Sequence, residues 1–388
     1  MLTDILTPPT LRQPQPVLNF DQARALGDQH GTPLLVVSRS RVIETYRTMR
    51  ENLPGVELFY AAKANPDPHI LKVLCEEGCS VDVCSYGELQ AALQAGFTPE
   101  SMLHTHPCKT DRNLLDCYAE GVRWFVYDNP AELDKIARLT PDVNLLLRLA
   151  VSADSSMINL SAKFGAELSS AIEMLLEARH RGLNVRGFSF HVGSQCLNPG
   201  DYEAALAGVR RVWDEALRLG FELEVLDIGG GFPAPYRDDR LMLLAEFCQT
   251  VSRGLQATFG DLPVRLIAEP GRGLCAESVT LITRVIGKSV RSGTAWYFID
   301  DGLYGSFSGK AFDHTDFQLL ADNPFGLPTS PCVVAGPTCD SSDVVSRDQL
   351  LPELNIGDLL LVPTMGAYTG ASACPFNGLP VASSVAID

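Results

Sequence analysis

The chain has no apolar run reaching the roughly 18 residues of a membrane-spanning helix, so no such span is predicted. Its opening residues, MLTDILTPPTLRQPQP, lack the basic start and apolar stretch of a secretory signal. The eleven cysteines show no CxxC spacing and are expected as reduced thiols in a cytoplasmic protein. Charge is sparse, at 20% of residues, and unbalanced: 47 acidic against 31 basic groups leave a formal net charge of −16. An acidic surface repels polyphosphates and anionic lipid, so neither nucleic acid nor a membrane is an expected partner. Lysine is particularly rare, with seven in 388 residues. No repeat or low-complexity tract interrupts the chain, and 46% hydrophobic residues suffice for a large core, which excludes a disordered protein.

Metal-ligand patterns are thin as well. Cys75, Cys79 and Cys84 lie close together without ligand spacing. Alternation in HTHPC would place His104 and His106 on one face of a strand, but no carboxylate or third histidine completes a set. No metal is expected.

What is present is a rhythm. Strand-length apolar runs occur at 56–62, 80–83, 102–106, 124–128, 144–150, 185–191, 223–229 and 264–269. Segments with helical spacing lie between them, among them 88–96, 167–182 and 203–220. Eight such alternations over about 230 residues predict an α/β fold, a (β/α)8 TIM-type barrel. A doubly wound sheet is the competitor, but FYAAKANP after the first strand is not a Gly-rich dinucleotide turn. Beyond about residue 275 the runs become SVTLITRVIGKSV, AWYFIDDG, PCVVAG and DLLLVP, separated by Gly, Pro and Asp, which predicts a second, mostly β domain. The early run PLLVVS (33–38) is expected to join it. The predicted division is therefore 39–274 for the barrel and 1–38 plus 275–388 for the β domain.

Barrel chemistry sits at the carboxyl ends of the strands. Those positions hold Lys63, Asp82, His104, Asp128, Arg148, His191, Gly229-Gly230-Gly231 and Glu269. Each has a plainer alternative. Lys63 can be a nucleophile whose pKa burial lowers, or a lysine snorkelling at a strand end. Three glycines can open the backbone to an anion, or make a tight turn, which needs only one. In EPGR, Glu269 suits a protonated ring nitrogen and Arg272 a phosphate, or the two form a surface pair. His191 in HVGSQ can cap a ring or fill a core. Taken together, an amine, a phosphate cradle, a carboxylate and a flat cap fit pyridoxal phosphate better than any other cofactor.

At this level of detail YAAKANP, HVGSQ, LDIGGGFP, EPGR, DDGLYGSF, GPTCDSSD and GAYTGAS with FNG resemble, in order, the motifs of the ornithine decarboxylase family. That family belongs to the alanine-racemase-like class of pyridoxal phosphate enzymes, and the resemblance spans about residues 33–380. It implies decarboxylation of L-ornithine to putrescine through a Lys63 Schiff base and a quinonoid intermediate. It implies Glu269 on the pyridine nitrogen, His191 on the ring face, and Asp82 and Arg148 nearby. Ser194, Gly230, Gly231, Arg272 and Tyr368 match the phosphate residues. Cys339 matches the acid that reprotonates the α-carbon. Asp340 and Asp313 match carboxylates for the distal ammonium, with Tyr304 and Phe376 lining the pocket. Cys339, Asp340 and Phe376 would come from a second subunit, so a homodimer is implied.

Two positions depart from the pattern: Phe312 stands where many relatives have tyrosine, and Ser341 where glycine is common. The alternatives are dual lysine/ornithine activity, since a pocket rejects one methylene by only about 1–3 kcal/mol, and diaminopimelate decarboxylation, which usually goes with Cys-Glu rather than Cys339-Asp340. A non-catalytic homologue or a racemase on the same fold is further from the motifs.

Overall fold

The computed structural model describes residues 12–388 apart from 152–154, 159, 238 and 240. Strand β1 is Leu34–Ser38. Eight strands then follow at the predicted places: β2 (Val56–Ala61), β3 (Ser80–Val83), β4 (Met102–His104), β5 (Trp124–Tyr127), β6 (Asn144–Ala150), β7 (Asn184–Phe190), β8 (Val225–Asp227) and β9 (Arg265–Ala268). Each pairs in parallel with the next, and β9 pairs with β2, closing the barrel. A two-residue strand, Ala166–Glu167, continues beside the end of β6.

Local sequence explains the helices between them. Ser85 caps helix Tyr86–Ala95 by accepting from the Glu88 N–H, and Gly96 ends it in a left-handed conformation. Asn129 caps Pro130–Leu139 in the same way, with proline at the first turn. The segment expected as one helix over 167–182 opens instead with a tight turn, Leu168–Ser170, before helix Ala171–His180. Helix Gly200–Arg218 turns Tyr202, Leu206, Val209 and Trp213 onto the outside of the barrel.

The barrel interior is plugged by Phe59, Leu103, Val126, Leu146, Val225 and Ile267, one from each of six strands. Side chains alternate along a strand, so the residue two places further on also faces inward. Those residues are Ala61, Thr105, Asp128, Arg148, Asp227 and Glu269. Apart from Ala61, these form a polar layer that is the apolar plug advanced by one period.

The main strands of the second domain are β10 (Val279–Arg291), β11 (Thr294–Ile299), β12 (Ser330–Ala335), β13 (Val344–Leu351), β14 (Leu359–Val362) and β15 (Ser383–Ile387). The first half of β10 pairs antiparallel with β1 and β14, the second half with β11, with a register shift between Val285 and Gly287. β12 lies parallel to β11 and antiparallel to β13, and β15 runs parallel to β1. This is a separate, mostly β domain that the amino-terminal strand joins. Two of its strands had no clear sequence signal: VVSRDQLL exposes Arg347 and Asp348 in mid-run, and SSVAI is half-exposed throughout. Among the described residues no helix is long and apolar enough to cross a membrane.

Candidate active site

Lys63 lies in the tight turn Ala62–Ala64 that follows β2. The turn is sewn to both domains: Ala61 N–H donates to Pro270, Tyr368 N–H to Ala64, and the Asn65 amide to Gly366. The Lys63 Nζ donates to Asp82 Oδ2 at 2.9 Å, and Asp82 Oδ1 accepts from the Thr105 hydroxyl at 2.5 Å. Asp82 is fully buried, while about a third of the Lys63 side chain (32%) remains accessible. Burial opposes the lysine charge, but the neighbouring Asp82 carboxylate outweighs it and holds Lys63 well above its ordinary range. The expectation that burial lowers the Lys63 pKa is therefore reversed, because the sequence did not place Asp82 beside it.

Glu269 is buried, and Gly229 accepts its N–H. Asp227, on the neighbouring strand, accepts from the Gly229 N–H at 2.9 Å through Oδ1, while its Oδ2 is buried with no hydrogen-bond partner. Burial raises both carboxyls: Glu269, with the charges of Asp227 and Asp82 adding to it, well above the usual range, and Asp227 to about 6, where hydrogen bonds from Glu269 and the Gly229 N–H pull the other way. Two buried carboxyls held this close, with Glu269 lining the cavity, suit a cationic N–H, which is what a protonated ring nitrogen supplies. His191 follows β7, and burial with Arg148 and Lys63 nearby holds it well below its usual pKa, hence neutral. Its Nδ1 accepts the Gly193 N–H at 2.9 Å, which leaves the proton on Nε2.

Opposite these lies an anion cradle. Arg272 donates to the Tyr236 hydroxyl at 2.7 Å and to Ser194 Oγ at 3.0 Å, and its guanidinium sits 4.8 Å from the Tyr368 ring centroid. Its Nε is buried without a partner. A Cβ on Gly230 would come within 2.6 Å of the Glu269 carbonyl, and one on Gly231 within 2.7 Å of Val192, so both must be glycine. Lys63, His191, Ser194, Gly230, Gly231, Glu269, Arg272 and Tyr368 all line one cavity.

Two expected residues complete this picture in unexpected ways. Asp313 pairs with Arg272 Nη2 at 2.5 Å, so a carboxylate expected for substrate is tied to a guanidinium expected for phosphate. Tyr304 lies outside the cavity, in a second cluster. Its hydroxyl donates to Asp340 Oδ2 at 2.5 Å, and its ring stacks on Phe376 with centroids 4.1 Å apart. Cys339, exposed, belongs to the same face: its N–H donates to Asn377. The structure thus divides the candidates into a Lys63 cavity and a partly exposed Tyr304–Cys339–Asp340–Phe376 group.

Some strand-end readings do not survive. β4 stops at His104, which points outward, stacking on Phe125 and reaching Asn113, so His104 and His106 do not share a strand face. The inward residue of that strand is Thr105. Asp128 holds the loop by accepting from the Gly165 N–H. Arg148 projects from β6 near the Phe164 ring, with its guanidinium carbon 5.5 Å from the centroid. Thr105 and Asp227 were not among the candidates, although each lies two residues beyond an apolar plug position. Tyr236 had no signal beyond its nearness to the glycine triplet.

A barrel whose mouth holds a lysine, a buried carboxyl pair and a glycine-and-arginine anion cradle, joined to a β domain, defines a pyridoxal phosphate enzyme of the barrel-and-sheet class. Among the described residues the unpaired Arg272 Nε fits the phosphate of that cofactor, and the buried Glu269 carboxyl that lines the cavity, with Asp227 beside it, fits its ring nitrogen. The family model for the pyridoxal-binding domain of pyridoxal-dependent decarboxylases matches residues 39–276. The chain belongs to that family: it is a decarboxylase of amino acids with pyridoxal phosphate as cofactor. A lysine/ornithine decarboxylase of Selenomonas ruminantium is 40% identical over 369 residues, 95% of this chain and 93% of that protein. SrLDC in complex with PLP and cadaverine matches with a TM-score of 0.91 at 38% identity, over 97% of this chain and 95% of that one. A lysine/ornithine decarboxylase from Vibrio vulnificus complexed with putrescine gives a TM-score of 0.89 at 38% identity, over 96% and 99%.

Proposed function

We propose that the protein decarboxylates L-ornithine to putrescine, a step of polyamine synthesis, in a homodimer with sites at the subunit boundary. The carrying observation is the pair of carboxylates on separate groups: Asp313, tied to Arg272 of the Lys63 cavity, and Asp340 on the partly exposed face beside Cys339 and Phe376. One subunit's exposed group placed over its partner's cavity would set two carboxylates around one distal ammonium. When the cofactor is bound, Lys63 would hold its aldehyde carbon, Glu269 would face its ring nitrogen and His191 would cover the ring, with Asp82 and Arg148 close by. Ser194, Gly230, Gly231, Arg272 and Tyr368 hold the phosphate. The bound cofactor supplies an electron sink for the pair left when the α-carboxylate departs as CO2. The Cys339 thiol then returns a proton to the α-carbon, while Tyr304 orients Asp340 and Phe376 keeps water from the reacting face.

The division into a cofactor barrel, 39–274, and a β domain built from both termini serves this assembly, since the second cluster belongs to the β domain. Eleven free cysteines agree with a cytoplasmic setting. Lysine is the second substrate we assign, supported by relatives named for both activities and bound to cadaverine or putrescine.

A competition assay for CO2 release tests this reading. Ornithine should lead, lysine should follow within about 200-fold, the limit that one methylene sets, and arginine and diaminopimelate should be poor. Preferred release from either of the latter two sinks the assignment.

A further inference from the structure

We propose that Thr105 is a positioning residue for Lys63, acting through Asp82 to keep the lysine nitrogen protonated. Thr105 follows β4 directly, and its N–H donates to Val83 of β3 at 3.3 Å, so the backbone there still continues the barrel pairing. It lies two residues beyond the plug residue Leu103 and faces inward, where its neighbour His104 faces out. Both Thr105 and Asp82 are buried, at 5% and 0% exposure. Asp82 has two oxygens and two partners: Oδ1 accepts from the Thr105 hydroxyl at 2.5 Å and Oδ2 from Lys63 at 2.9 Å. A carboxylate can only accept, so Thr105 is the donor.

The physical consequence follows from burial. A carboxylate with no access to water keeps its charge only while hydrogen bonds and an opposite charge stabilise it. Without the Thr105 hydroxyl, Oδ1 would be unsatisfied, the buried carboxylate would lose one of its two stabilising partners, and its hold on the Lys63 nitrogen would weaken. The Asp82 charge is the strongest influence opposing burial at Lys63. The other groups facing the lysine nitrogen are Cys84 just beyond β3, Glu88 in the helix after it, Asp227 at the end of β8, Glu269 beyond β9, His191 beyond β7, Tyr368 from the β domain, and His106 beyond Thr105. Burial keeps Cys84 protonated and His191 neutral, so neither replaces Asp82. The hydroxyl also fixes the Asp82 rotamer, which sets where Nζ points.

This inference rests on Lys63 as the attachment residue, and the test separates the two. The near-visible absorbance of the bound cofactor reports protonation of the nitrogen attached to it, without turnover. Thr105→Val keeps the branched shape and removes the donor. The pH at which the longer-wavelength band is lost should fall by roughly one unit, a tenfold change in the proton equilibrium. Thr105→Ser retains the hydroxyl and should titrate like the parent. If the valine variant does not fold, Thr105→Ala should show the same fall. A band in the parent with no shift in valine or alanine overturns the role of Thr105 alone, as does a serine variant shifted as far as valine. No band in the parent overturns the Lys63 assignment and this inference with it.

Discussion

Single residues in this site are held by their partners more than by their surroundings. Lys63 is the clearest case, because the same burial that should strip its proton also buries Asp82 against it. Gly231 is another. Its φ of +120° is a region costly to any residue with a Cβ, and that Cβ would lie 2.7 Å from Val192 and 2.9 Å from the Gly193 carbonyl. Gly231→Ala should therefore cost about 1–3 kcal/mol and push the cradle open. Lower thermal stability with faster cofactor dissociation is the expected result; unchanged dissociation would mean that Gly231 does not shape the phosphate site. His104 makes the opposite point. By type it suggested chemistry, yet one step of strand alternation turns it out against Phe125 and makes Thr105 the residue that counts.

Among the elements, the turns of the β domain are as carefully fixed as the barrel mouth. The loop carrying Cys339 and Asp340 closes around Asp343, which is buried and accepts from three donors: the Leu303 N–H at 2.8 Å, and the Thr338 N–H and hydroxyl at 3.2 and 2.7 Å. The Leu303 bond ties this loop to the turn that presents Tyr304. Three donors aimed at two oxygens require a carboxylate, since an amide would set N–H against N–H. Asp343→Asn should cost about 1–3 kcal/mol of loop order and raise KM for the diamino acid, with the cofactor absorbance unchanged. An unaltered KM would show that the loop is ordered by something else. Asp301 does related work on the other turn, accepting from the Gly302 and Ser306 N–H groups.

At the scale of the whole molecule, the candidate machinery is divided between a cavity and an exposed face. A dimer that places one over the other has a direct signature. Lys63→Ala subunits should show neither cofactor band nor turnover, and Asp340→Ala subunits should retain the band with poor turnover. Random mixing makes half the dimers heterodimers, each with one site carrying neither mutation, so roughly a quarter of all sites should be restored. Activity that does not rise on mixing would place Asp340 in its own chain's site.

The sequence by itself determined the barrel and most of the mouth. Eight apolar runs with polar residues at their carboxyl ends are a one-dimensional pattern, and parallel strands buried on both faces write that pattern strongly. Lys63, Asp82, Arg148, His191, Glu269 and the glycine triplet were legible because strand ends and motif spacing are local properties. What only the tertiary structure decided is which of these groups meet. Asp82 on Lys63, Asp227 beside Glu269, Asp313 on Arg272 and Thr105 beneath Asp82 are contacts between different strands or domains. No spacing along the chain encodes them, and their electrostatics depend on distance and burial. Strands β13 and β15 escaped for a related reason: half-exposed strands need little apolar surface, so their pairing partners rather than their composition make them strands. The opening scarcity of lysine takes its meaning from the same source. One of seven lies at the barrel mouth, and its chemistry is set by a carboxylate nineteen residues away in sequence and 2.9 Å away in space.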